Sequence, residues 1–281
     1  MTATPTAKSQ RKLIDLAKFG PWAVVTGASS GIGKEFAHQL AAHGINLVLA
    51  SRRGAELEAI GRDLSRTFGV QHRVAEVDFA KDDPLGALEA ATRDLDIGLL
   101  VSNAGAAHAG EFLSESREEM HAIVRVNVLA HLDLAHHFGR RITARKRGGL
   151  ILVGAMGASN GLPFMANPAA TKAYVYSLGE ALHFELGKLG VNVTTLLPGP
   201  TDTPVLGKLG VESPPMKPMS VEQCVSEALR ALSANRATIV PGRLFRMISA
   251  LVPASVFRNQ MAKMFEAASK RKAATTASAS R

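Results

Sequence analysis

The chain has a single cysteine, Cys224, among 281 residues. An internal disulfide framework is therefore excluded, and a reducing compartment is expected. Cys224 falls in a helical pattern after Ser220 and is read as inert. No apolar run approaches the roughly 18 residues of a membrane span. The N-terminal stretch has no apolar signal-peptide core, so a cytoplasmic location is expected. Acidic side chains are scarce at both ends. Residues 1–19 carry four basic side chains against Asp15, a net +3, and residues 243–281 carry eight against Glu266, a net +7. The whole chain is +9, which leaves the body at −1. So neutral a body does not make a nucleic-acid surface, and no nucleic-acid partner is expected. No metal site is read from the sequence.

Apolar residues make up 46% of the chain, ample for a core. The most informative stretch is Ala23-Val24-Val25-Thr26-Gly27-Ala28-Ser29-Ser30-Gly31-Ile32-Gly33. A short apolar run ends there in a glycine-rich turn. A helical pattern follows over 34–44, with Phe36, Ala37, Leu40 and Ala41 on one face and Gly44 at the stop. Strand, glycine turn, helix is the geometry that sets a helix N-terminus against a phosphate. Glycines at Gly27, Gly31 and Gly33 admit positive φ and a close approach of ligand to backbone.

Strands and helices then alternate. Strands are predicted over 45–50, 73–78, 99–102, 150–153, 191–197 and 238–240. Helices are predicted over 55–68, 84–95, 117–147, from Asn167 as N-cap and Pro168 as first helical residue to about Leu189, and after the capping box Ser220–Gln223. Such alternation implies an α/β fold, Rossmann-like, with a doubly wound, mainly parallel sheet flanked by helices. The expected domains are an N-terminal arm (1–20), the main domain (21–242) and a basic C-terminal extension (243–281) that is helical with a disordered end. On such sheets ligands bind beyond the strands' carboxyl ends. The glycine turn, Arg52, Asp78, the Asn103 turn, residues 154–163 and the Pro198 turn all follow strands and should meet there. Where such a fold takes NAD, an acidic side chain ends the second strand, whereas Arg52 and Arg53 suit the 2′-phosphate of NADP.

These residues resemble the short-chain dehydrogenase/reductase family over roughly residues 20–240. Thr26–Gly33 matches the family's TGxxxGxG cofactor motif, and Asn103-Ala104-Gly105 its NAG motif. Asn127 matches the structural asparagine of the long helix, and Pro198-Gly199 with Thr203 the PGxxxT segment. The resemblance implies that NADP(H) is held by Gly27, Ser29, Ser30, Gly31, Ile32, Gly33, Arg52, Arg53, Asp78, Phe79, Asn103, Ala104, Gly105, Lys172, Pro198, Gly199, Thr201 and Thr203. It also implies homodimers or homotetramers formed through the helices containing Asn127 and Lys172.

The family's chemistry requires a tyrosine four residues before a lysine and a serine thirteen before that tyrosine. Lys172 is present, but the other two positions hold Pro168 and Ala155. A positioned general acid accounts for about 10²–10⁴ in rate, so carbonyl reduction by the usual route should be severely weakened. Tyr174 and Tyr176 follow Lys172 and cannot occupy the expected site. His108, three residues after Gly105, is a candidate proton donor beside Lys172 and Asn127. Three functions remain open. One is an NADP(H)-dependent oxidoreductase with an atypical site, acting on a small-molecule carbonyl or hydroxyl compound. The others are a cofactor-binding pseudoenzyme, serving as sensor or complex subunit, and a non-redox isomerase or lyase. Leu113, Met156, Leu162, Phe164, Met165 and Leu206 imply an apolar, lipid-like substrate. The extension recurs in apolar residues at near-helical spacing between basic ones, with Pro253 dividing it. It either packs on the cleft as a lid or oligomer contact, or lies on an anionic membrane surface.

Overall fold

The computed structural model describes residues 13–81, 83–211 and 216–279. The expected mobility of residues 1–10 falls outside them. Seven parallel strands form one sheet in the order β3-β2-β1-β4-β5-β6-β7. They are β1 (Trp22–Thr26), β2 (Asn46–Ser51), β3 (His72–Glu76), β4 (Ile97–Ser102), β5 (Gly148–Val153), β6 (Val191–Leu196) and β7 (Thr238–Ile239). The strands read as near-continuous apolar runs because both faces are covered. Alternate side chains enter different cores. Ala23 and Val25 of β1 join one cluster and Trp22 and Val24 the other, and β2 splits in the same way between Leu47, Leu49 and Val48, Ala50. Each fully buried Leu, Val or Phe contributes roughly 1.5–3 kcal/mol over its exposed state.

The first face is covered by α2 (Gly31–Ala42), α3 (Gly54–Phe68) and α9 (Val221–Ser233), with Phe36, Leu40, Leu57, Val225 and Leu229 buried. The second is covered by α4 (Pro84–Thr92), α6 (Ala130–Ala144) and α7 (Ala166–Gly187), with Leu88, Leu134, Phe138 and Val175 buried. A short α1 (Leu16–Phe19) leads into β1, and α8 (Pro204–Lys208) follows β6. Cys224 is fully buried on α9, and burial pushes its thiol up to about 12.

Two local readings change. The helix expected over 117–147 is α5 (Arg117–Val124), a π-helical turn (Arg125–Leu129) and then α6. The wider turn admits one extra residue and carries Asn127, fully buried. Asn127 Nδ2 donates to the Ala106 carbonyl at 2.8 Å and to Thr171 Oγ1 at 2.9 Å, and its Oδ1 accepts from Ala106 N at 2.8 Å. Asn167 is not the N-cap of α7. The helix starts at Ala166, and Asn167 Nδ2 instead donates to the Met120 carbonyl of α5 at 3.0 Å. Pro168 still falls in the first turn, where no intrahelical N–H bond is needed.

The extension forms α10 (Arg243–Leu251) and α11 (Ala254–Ala279), divided near Pro253 as expected. The helix runs through residues 273–279, which were expected to be disordered. Ala-rich sequence of high helix propensity continues it. Residues 280–281 lie outside the described residues. Phe245 of α10 packs on the first core. Met261, Phe265 and Ala268 of α11 build a third cluster with Leu162, Met165, Ala169 and Val211.

Candidate active site

A cavity of about 790 Å³ opens at the carboxyl ends of the strands. Its first end is made by the turn between β1 and α2. Gly27 and Gly31 take φ of +65° and +52°, which L side chains rarely adopt. A Cβ at Gly27 would stand 2.8 Å from Asn103 Nδ2. A Cβ at Gly33 would overlap the Gly27 carbonyl, so Gly33 acts by closeness and stays off the cavity wall. Ser30, the N-cap of α2, makes no side-chain cap bond. The first N–H groups of α2 therefore have no internal partner and offer an anion site at the positive end of the helix.

Thr26 ties this turn to the next strand end. Its Oγ1 accepts from Asn103 N and Ala104 N, both at 2.9 Å, while its carbonyl accepts from Asn103 Nδ2 at 3.0 Å. Arg52 and Arg53 follow β2 on the cavity wall. Arg53 donates to Ser29 Oγ at 2.8 Å and pairs with Glu56 at 2.7 Å. Asp78 and Phe79 line the wall after β3, and Asp78 Oδ1 accepts from Ala80 N. Pro198, Gly199, Thr201 and Thr203 line it after β6. Thr203 lies over Gly31, where a Cβ would come within 3.1 Å of its methyl.

The middle of the cavity is held by Lys172. Its Nζ donates to the Val153 carbonyl at 2.7 Å, and a Cβ at Gly105 would stand 3.2 Å away. Desolvation lowers its pKa to about 8. Behind it lies His131, buried one turn after Asn127. Nε2 donates to the Ala104 carbonyl at 3.2 Å, which leaves Nδ1 to accept from Ser102 Oγ at 2.8 Å. Burial, with the Lys172 charge beside it, pulls its pKa down to about 3, so the ring is neutral. His131 was not anticipated. Its spacing of four from Asn127 was the available signal.

The other end is apolar. Ala155, Met156, Leu162, Met165, Pro168 and Leu206 line it together with Phe257, Met261, Met264 and Phe265 of α11. Pro168 and Ala155 thus face the same space as Lys172 and bring no hydroxyl to it. Leu113 lies outside, 94% exposed, and Phe164 packs against the third core cluster without lining the cavity. Of the expected cofactor-binding and catalytic residues, only Gly33 and His108 are absent from the wall. His108 Nε2 is held 2.7 Å from Glu115 Oε1.

The family model described as short chain dehydrogenase matches residues 21–213, and the chain belongs to the short-chain dehydrogenase/reductase family. It is 31% identical over 232 residues to a 7beta-hydroxysteroid dehydrogenase from Collinsella aerofaciens, covering 80% of this chain and 88% of that one. A very-long-chain 3-oxoacyl-CoA reductase from Podospora anserina is 34% identical over 221 residues, 70% of this chain; the match spans 65% of the reductase, just under two thirds of its length. Among solved structures, a short-chain dehydrogenase from Sphingobium yanoikuyae in complex with NADPH superposes with a TM-score of 0.75 at 28% identity, covering 86% of this chain and 92% of that one.

Proposed function

We propose that the protein is an NADP(H)-dependent oxidoreductase acting on a bulky apolar ketone or secondary alcohol, with Lys172 exchanging the proton. The observation that carries this reading is the continuity of the cavity. A phosphate cradle with two arginines runs without a break into an apolar chamber, and Lys172 stands at the junction. The residues fit the cofactor: side chains are missing where the backbone must approach it, and the N–H groups of α2 face the site uncapped. Likeness to an NADPH complex, and to relatives named for steroid and long-chain acyl substrates, supports the same assignment.

In this reading the α2 N-terminus with Ser29 and Ser30 holds the bridging phosphates, and Arg52 and Arg53 hold the 2′-phosphate. The bound nicotinamide supplies or accepts the hydride. Lys172 carries a proton at Nζ and gives it to the developing alkoxide oxygen; solvent then restores it. A pKa near the working pH suits that exchange. The apolar walls exclude water, which strengthens the ammonium's field at the reacting oxygen.

Titration with NADPH and NADH, followed by nicotinamide fluorescence, tests the cradle. Tight binding of NADPH and weak binding of NADH are expected; binding of neither would end the proposal. A panel of bulky ketones tests the chemistry, with reduction slowing as pH rises through about 8. A second reading is favoured by the lack of any hydroxyl at positions 155 and 168: a protein that holds NADP(H) and an apolar ligand without turnover. Tight NADPH binding with no oxidation across the panel would select it. Products of unchanged oxidation state would point to the isomerase or lyase. Assembly into dimers or tetramers through α6 and α7 is also proposed. Leu129 and Leu132 are 46% and 38% exposed and Phe184 is 67% exposed. Sedimentation as a monomer would dismiss it.

A further inference from the structure

The outer face of α10 has no use in the cavity. Leu244, Met247 and Leu251 are 57%, 57% and 74% exposed. They are three and seven residues apart, so at 3.6 residues per turn they form one narrow stripe along the helix. The adjoining flank is already used: Phe245 is buried in the main core and Ile248 packs against it. A helix that is apolar on both flanks is normally covered on both. Here one flank is bare. Beyond Pro253, Val256 adds another exposed apolar side chain, 49% accessible.

The charge of this region selects the occupant. Exposed Arg243 opens α10, and exposed Arg258 and Lys263 follow on α11. The whole extension is +7 on a body of −1. A second copy docking through this same face would set +7 against +7. An anionic bilayer supplies both what the stripe lacks and what the charge seeks. Among the described residues no helix is long and apolar enough to cross a membrane, so the contact would lie in the interface plane.

We propose that α10 docks on an anionic lipid surface, with Leu244, Met247 and Leu251 seated among acyl chains and the exposed Arg243, Arg258 and Lys263 against lipid phosphates. The helix that follows, α11, walls the apolar end of the cavity, so the docked face and the chamber for a lipid-like substrate share one segment. The proposal stands whether or not the protein turns over NADPH.

The test is co-sedimentation of the full chain with vesicles of phosphatidylcholine alone or mixed with phosphatidylglycerol. The protein should pellet with the mixed vesicles, less so at high salt, and stay in solution with the neutral ones. The triple variant Leu244→Asp, Met247→Asp, Leu251→Asp should lose binding at least about tenfold. Its melting temperature and NADPH binding should hold, since the three side chains are exposed. Arg243→Gln should weaken binding about fivefold. Protein left in the supernatant with mixed vesicles, or a triple variant that pellets like the wild type, overturns the proposal. So does a vesicle-free dimer that the triple variant splits, because the stripe would then be a contact between copies.

Discussion

At its nucleotide end the cavity is shaped by close-packed main chain, beside the side chains of Arg52, Arg53, Asp78 and Phe79. Gly27 and Gly31 sit at positive φ, Gly33 leaves no room for a Cβ beside the Gly27 carbonyl, and Thr26 clamps the Asn103 turn through one hydroxyl and one carbonyl. At the opposite end the wall is side chain: methionines and phenylalanines of α11 laid over Leu162, Met165 and Pro168. Backbone geometry tolerates almost no substitution, because a single methyl has nowhere to go. An apolar wall tolerates many, because volume and shape are all it must keep. One end should therefore recognise a single ligand closely, and the other should accept a class of them.

The comparison can be tested from its strongest point downward. Gly33→Val drives a branched side chain into the Gly27 carbonyl. It should cost more than about 4 kcal/mol and abolish NADPH binding, read by thermal melting and fluorescence titration. Phe265→Ala should also destabilise, by about 3 kcal/mol or more, but through the apolar end, so NADPH affinity should hold while KM for bulky ketones rises. If both variants lose NADPH equally, the two ends are not separable.

Lys172→Met should lower turnover at least about 100-fold. It has a second signature in the pH dependence of stability. Folded Lys172 gives up its proton at about 8, and the unfolded chain keeps it to 10.5. Between those values the unfolded state binds more protons, so stability rises with pH there. The methionine variant should lack that rise in denaturant titrations. Arg53→Ala removes the bond to Ser29 and should raise the NADPH dissociation constant about tenfold, with NADH unaffected; equal losses for both cofactors would remove the 2′-phosphate assignment. Asn167→Ala should cost about 1 kcal/mol with no change in either ligand, consistent with its bond to the Met120 carbonyl.

The nucleotide end was the more legible in sequence. Its parts are local: a strand, a glycine turn and a helix start within eleven consecutive residues, and strand ends announce the rest. The sheet was legible for a related reason, since strands covered on both faces read as apolar runs. The apolar end was harder. Met261 and Phe265 lie about a hundred residues from Leu162 and Met165, and no periodicity says which surface a terminal helix will cover. Helix interiors hid two further features. The pattern over 117–147 stays helical through the π turn, which shows only as a change in ring size. Asn167 looked like a cap because asparagine usually is one, yet a tertiary acceptor, Met120, drew its amide away from that role.

Cys224 turns this chain into its own stopwatch. A thiol that is fully buried and whose pKa is pushed to about 12 is closed to modifying reagents while the fold is intact. With no second cysteine in the chain to give background signal, each labelled molecule records one opening of α9 from the sheet. The rate at which a chromogenic disulfide reacts would time those openings directly. Its slowing by NADPH, by a sterol or by vesicles would rank ligands on one scale, without a substrate being known.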